Sequence, residues 1–112
     1  MFWLRNITKS EDVESVASSL VEQFERQVSV AKAGNTRLVQ RAFQLVLAQA
    51  KGEERKREWR GGTSARVAHT FGWKLVEHGY PETLSMSLAK ALAVRLAHDI
   101  SEKNTRNPTA AD

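Results

Sequence analysis

The three histidines, His69, His78 and His98, are the residues with which this chain could do acid–base or metal chemistry. On a single helix, His69 and His78 would point in opposite directions, because nine residues correspond to a rotation of about 180°. No His-x-x-x-His or Glu-x-x-His spacing occurs among the three, and the sequence contains no cysteine. The usual zinc ligand patterns, a P-loop and a nucleophile elbow are missing from the sequence. We therefore expect no catalytic residue, no metal, no cofactor and no enzymatic activity.

The densest group of charges is the segment from Lys51 to Arg60, in which eight of ten residues are charged. On a helical wheel, most of its bases and its tryptophan share one half, and its three glutamates lie on the other half. Two earlier arginines fall on the basic half as well. Several cations without interleaved carboxylates suit phosphate binding, and a flat aromatic among them can stack on an unpaired base. The predicted binding residues, including one on the next helix, are Arg37, Arg41, Lys51, Arg55, Lys56, Trp59, Arg60 and Arg66.

The same segment also fits a solvated surface. Glu53 precedes Arg57 by four residues, which is the favourable order for an ion pair within a helix. The wheel contains a conflict too, because Glu53, Glu54 and Arg57 fall at the angles that apolar residues occupy earlier in the helix. The helix would then either leave the core after Ala50 or bend at Gly52. In the first case the segment would be an arm, accessible to a partner.

Apolar residues that recur every three or four positions predict four helices and no strand. The predicted boundaries are Thr8 or Ser10 to Gly34, Thr36 to Gly61, Thr63 or Ser64 to Gly79, and Pro81 to Ser101. We predict that residues 1–103 form an all-α, single-domain bundle of about four helices. Residues 104–112 are polar and contain a proline, and we predict that they form a disordered C-terminal tail.

The fourth predicted helix carries a row of leucines spaced by four, beside a parallel row of small residues. Such a row forms an oblique ridge on a helix and packs into the groove of another helix. The small residues would let that second backbone come close. We predict that the ridge packs in the core or at a dimer interface, and that the chain self-associates as a homodimer. The predicted dimer or packing residues are Leu84, Leu88, Leu92 and Leu96.

Composition narrows the function classes. The chain of 112 residues has a net charge of +4, and residues 34–80 hold nine basic and four acidic residues, which accounts for the whole excess. No apolar run approaches the roughly 20 residues of a membrane-spanning helix, and we expect a cytoplasmic protein with no membrane association. The predicted function is a small binding or regulatory module whose basic central helix engages an anionic partner, with nucleic acid as the first expectation. The alternative is an adaptor or inhibitor that uses the same ridge on an acidic protein surface.

Overall fold

The computed structural model describes the backbone of residues 2–59 and 61–111, and the side chains of residues 12–59 and 62–98. Within this part of the chain there are four α-helices, one short 3-10 helix and no strand. The α-helices are α1 (Phe2–Gln27), α2 (Thr36–Arg57), α3 (Gly61–Glu77) and α4 (Glu82–Ala111), and the 3-10 helix spans Val30–Lys32. The predicted all-α, single-domain bundle of about four helices is confirmed.

The starts of α1 and α3 differ from the predicted ones, whereas α2 begins at Thr36 as predicted. α1 begins at Phe2, ahead of the predicted start at Thr8 or Ser10. Asn35, rather than Thr36, caps α2, because its extended backbone lets its side-chain oxygen accept a 3.1 Å hydrogen bond from the amide of Leu38. α3 already begins at Gly61, so the two glycines do not separate it from α2 as predicted.

The core is built from the predicted apolar faces of the helices. Phe24 of α1 lies at its centre and packs edge-on against Phe71 of α3 and Tyr80, with ring centroids 6.5 and 5.3 Å apart. The Tyr80 hydroxyl donates a hydrogen bond to the carbonyl of Val28, just beyond the end of α1. This hydrogen bond connects the loop before α4 to the C-terminal end of α1. The largest fully buried apolar side chains are Phe24, Phe71, Leu20, Leu75, Leu92, Leu96, Val21, Val28, Val46 and Val67.

α3 and α4 cross at very short range. A Cβ atom added to Gly72 would lie only 2.6 Å from the Cβ of Ala89 and 3.3 Å from the carbonyl oxygen of Ser85. Ser85 and Ala89 belong to the row of small residues on α4, so this row receives the α3 backbone. The neighbouring leucine ridge also serves the core of this chain, because Leu88, Leu92 and Leu96 are buried and Leu84 is partly buried. A homodimer that uses the ridge stays a prediction.

The helices are packed unequally. α3 has its most extensive contact with α4, and α1 packs on both α2 and α3. α2 also contacts α4, and this is the smallest of these four helix–helix contacts. The seam between these two helices is therefore open enough to hold the hollows described below. No helix in the described part of the chain combines the length and the apolar character needed to cross a membrane. α4 extends to Ala111, past its predicted end at Ser101. The side chains of residues 104–112 lie outside the described ones, and the disordered tail stays a prediction.

Candidate functional site

α2 runs without interruption through Gly52 to Arg57, so the charged segment neither leaves the core nor breaks at the glycine. The conflict seen in the sequence is resolved by burial of an acid. Glu54 is only 4 % exposed, and its carboxylate accepts a 2.8 Å hydrogen bond from the hydroxyl of Ser64, which is 1 % exposed. A polar partner on α3 thus lets α2 keep packing after its last apolar residue, Ala50.

The remaining inward charges also have partners. Arg57 contacts Glu53 through its Nε atom at 2.6 Å and Asp12 of α1 through Nη1 at 3.1 Å. The hydrogen bond that Arg57 donates to Glu53 is the main cause that raises the pKa of Arg57 above its ordinary value; burial acts in the opposite direction, and the negative charge of Asp12 adds to the increase. The inner side of the segment is therefore a set of paired charges that attach the end of α2 to α1.

The chain turns sharply where α2 ends. Glu58 has φ 53° and ψ 48°, the left-handed conformation, and the amide of Trp59 donates to the carbonyl of Glu54 at 3.0 Å. This Schellman-type ending carries a glutamate where glycine is the usual residue. Trp59 is consequently folded back and partly buried against the core. The prediction that Trp59 continues the basic face of the helix is wrong, because the helix stops two residues before it.

The side of α2 that points away from the core carries five cations, which we call the outer face: Arg37, Arg41, Lys51, Arg55 and Lys56. Four of them are exposed and Lys51 is half-buried. No carboxylate of α2 interrupts them, because the two glutamates of this helix are turned inward. Among the described side chains, none of the five forms an ion pair. At 1.5 Å per residue, the outer face extends about 27 Å from its first to its last arginine.

Of the other predicted binding residues, Arg66 does not join this face. Arg66 is an exposed residue of α3, where it lines a hollow of about 300 Å³ together with Asp12, Arg57 and Trp59. That hollow lies on the inner side of the α2 end, and it contains carboxylates. Arg60 lies outside the described residues, so its participation stays a prediction.

The seam between α2 and α4 contains a feature that the sequence did not indicate. A hollow of about 430 Å³ is lined by Arg37, Arg41 and Leu88 among others, and a second of about 400 Å³ by Lys90, Val94 and Arg95. Phe43 lines both hollows. We call the two together the α2–α4 groove; its described lining residues are Arg37, Val39, Gln40, Arg41, Phe43, Gln44, Ser87, Leu88, Lys90, Ala91, Val94 and Arg95.

Among the described residues that line it, the α2–α4 groove has four cations and no acid. Its apolar floor includes Val94, which is 57 % exposed despite being a large aliphatic residue. The groove was not predicted from the sequence, because its two walls are α2 and α4, and α3 lies between them along the chain. The unusual position of Val94, apart from the leucine ridge of the same helix, was the available signal.

The histidines with described partners take part in structural contacts. His69 accepts a 2.9 Å hydrogen bond from the indole nitrogen of Trp73, one helical turn later. Nδ1 of His78 lies 2.9 Å from a carboxylate oxygen of Glu25 and links the end of α3 to α1. The described side chains include no group of three or more histidines and acids that could hold a metal ion.

Compared with models of known protein families, with curated proteins and with solved structures, the chain matches none of them. The surfaces above are therefore interpreted from their own geometry and charge.

Proposed function

We propose that this protein is a small, non-enzymatic binding module that holds the phosphate backbone of a nucleic acid against the outer face of α2. The observation that carries the proposal is the run of five cations along one helix face with no carboxylate between them. Each added cation on such a face can displace a counterion from a phosphate chain, which favours binding regardless of base sequence.

The dimensions of the outer face suit a nucleic-acid strand. Its length of about 27 Å spans about eight phosphates at the B-form spacing of about 3.4 Å per strand. Arginine and lysine side chains on one face of a straight helix can follow a backbone over this distance. None of the ion pairs between described side chains involves this face, so binding to it breaks none of those pairs.

The arrangement favours backbone contact over base recognition. Trp59, the aromatic residue expected to stack on bases, is folded against the core and is left out of the proposed interface. The outer face offers long cationic side chains, which bind phosphate, and phosphate contacts position a nucleic acid without reading its sequence. We accordingly infer weak sequence preference, and a strong dependence of affinity on salt concentration.

The test is a fluorescence-anisotropy titration of a 20-base-pair duplex, and of one of its strands, at a series of salt concentrations. If all five cations contact phosphate, the logarithm of the association constant should fall with the logarithm of salt with a slope of about −4 to −5. The double variant Lys51→Gln/Arg55→Gln should reduce the magnitude of this slope by about two, since each lost phosphate contact reduces it by about one.

A charge-matched control separates this interface from general attraction. Arg26→Gln/Lys32→Gln removes the same charge from two exposed residues outside α2, and it should change the slope much less. Equal effects of the two double variants would contradict a defined interface on α2. Absence of oligonucleotide binding even at low salt, or stronger competition by polyglutamate than by DNA, would contradict nucleic acid as the partner and favour an acidic protein surface.

A further inference from the structure

The α2–α4 groove differs from the outer face in having an apolar floor. Phe43 and Leu88 are 9 % and 8 % exposed and form its centre, and Val94 presents most of its side chain to solvent. Phosphate chains gain nothing from aliphatic and aromatic carbon, so this floor has no role in the function proposed above. A protein segment with apolar side chains would cover it and remove that surface from water.

The rims of the groove restrict the charge of such a segment. Arg37 and Arg41 lie on the α2 side, Lys90 and Arg95 lie on the α4 side, and none of the lining residues with a described side chain is acidic. The polar residues between them, Gln40 and Gln44, are neutral. A basic segment would place like charges against both rims, whereas an acidic one would find a cation on each side.

The shape of the groove restricts its occupant further. Its walls are α2 and α4, which contact each other less than the other three helix pairs described above do. The hollows therefore follow the seam between these two helices. A third helix fits such a seam by placing residues at i, i+3, i+4 and i+7 between the ridges of the two walls. The apolar stripe of that helix would meet Phe43 and Val94, while flanking acids would meet the rims.

We propose that the α2–α4 groove binds an acidic amphipathic helix of a partner protein, with apolar anchors on Phe43, Leu88 and Val94 and carboxylates on Lys90 and Arg95. This proposal does not require that the chain binds nucleic acid, because Lys90, Arg95 and Val94 are not part of the outer face. Arg37 and Arg41 lie at the edge of both surfaces, so the two partners should compete.

The experiment uses a labelled synthetic 18-residue helix with leucines at i, i+3, i+4 and i+7 and glutamates on both flanks, titrated with the full chain. Two control peptides have serines in place of the leucines, or lysines in place of the glutamates. The proposal requires that the acidic, leucine-containing peptide binds and that both controls bind at least about tenfold more weakly. Equal binding of the serine peptide would overturn it, because attraction by charge alone would then be sufficient.

Variants of the chain locate the site. Val94→Glu should weaken peptide binding about tenfold or more, since it places a carboxylate among the peptide's acids. Lys90→Gln/Arg95→Gln should weaken it several-fold, as expected for charges on a rim. Leu45→Glu is the matched control, because Leu45 is also an exposed aliphatic residue at 39 %, on α2 but outside the groove lining.

The same variants distinguish this proposal from nucleic-acid binding. Val94→Glu should leave the salt slope of DNA binding close to that of the natural chain, while Lys51→Gln/Arg55→Gln should leave peptide affinity within about twofold. Undiminished peptide binding by Val94→Glu would overturn the proposal. Light scattering tests whether a second copy of this chain occupies the groove instead. A dimer that Val94→Glu dissociates would assign the groove to that copy and would also overturn the proposal.

Discussion

The carboxylate of Glu54 accepts a 2.8 Å hydrogen bond from the hydroxyl of Ser64, and this buried contact joins the last turn of α2 to the first turn of α3. Both side chains are almost completely removed from solvent. A carboxylate in such a position depends on its donors, because losing one leaves part of its desolvation uncompensated. The contact therefore helps to offset the cost of burying an acid at a core position of α2.

Replacing Ser64 by alanine should lower the free energy of unfolding by about 1.5–3 kcal/mol, because the carboxylate of Glu54 loses a buried hydrogen-bond donor. Urea unfolding followed by circular dichroism measures the change. Ser19→Ala is the control: Ser19 is an exposed residue of α1, and its replacement should stay within about 0.5 kcal/mol of the natural chain. An equally small change for Ser64→Ala would show that the contact contributes little to stability.

Replacing the helical glycines Gly72 and Gly52 by alanine should change the stability of the chain in opposite directions. At Gly72 the new methyl group would lie 2.6 Å from the Cβ of Ala89, so Gly72→Ala should destabilise the chain by about 1–3 kcal/mol through overpacking. At Gly52 nothing lies within 4 Å of the added Cβ, and Gly52→Ala should stabilise by about 0.5–1 kcal/mol through helix propensity. Thermal and urea unfolding of both variants provide the comparison.

The double variant Gly72→Ala/Ala89→Gly tests the cause of the first effect. If the methyl–methyl clash is responsible, removing the Ala89 methyl should recover part of the stability lost by Gly72→Ala, and a double-mutant cycle gives the coupling. Additive losses in the cycle would argue against a direct clash between these two positions.

Tyr80 should make stability fall at alkaline pH. Burial is the main cause that raises the pKa of Tyr80 above its ordinary value of 10.0, and the negative charge of Glu25 adds to the increase. Below pH 10 the phenol is protonated in both the folded and unfolded chains, so its contribution is complete. Above about pH 10 the unfolded chain loses this proton first, and stability declines until the pH passes the folded pKa.

The single tyrosine of the chain allows a direct measurement, because the tyrosinate absorbance reports Tyr80 alone. Its titration midpoint in the folded protein should lie above 10.0, and the difference in unfolding free energy between the natural chain and Tyr80→Phe should shrink as pH rises above about 10. The Phe variant controls for the lysines that titrate in the same range. A midpoint at or below the ordinary value would contradict the prediction.

Local patterns predicted the fold well because they depend on residues close in sequence. Periodicity identified the helices, and the small residues of α4 were expected to let another backbone come close, which the structure shows at Gly72. The wheel of α2 also located its outer cations. The same wheel found the conflict at Glu54 without finding its solution, because Ser64 belongs to α3 and reaches this carboxylate only after the chain has turned back beyond α2.

The parts that sequence could not supply depend on tertiary geometry or on an unusual residue. Glu58 adopts a left-handed conformation in which glycine is the usual residue. No signal in the sequence therefore indicated that α2 would end before Trp59. The α2–α4 groove joins Phe43 to residues of a helix some 45 positions later, and no periodicity in either helix reports that meeting. Both differences concern the site more than the fold.

α2 divides its residues between two tasks that hardly overlap. Its inner side holds the bundle together through buried apolar residues, Glu54 and Arg57, whereas its outer cations support no described contact within the chain. Changes on that outer side should each cost about 0.5 kcal/mol or less in stability. If the proposed anionic partner binds there, single substitutions on this side should raise, lower or redirect its affinity while folding is preserved, so that variation in binding is separated from variation in stability.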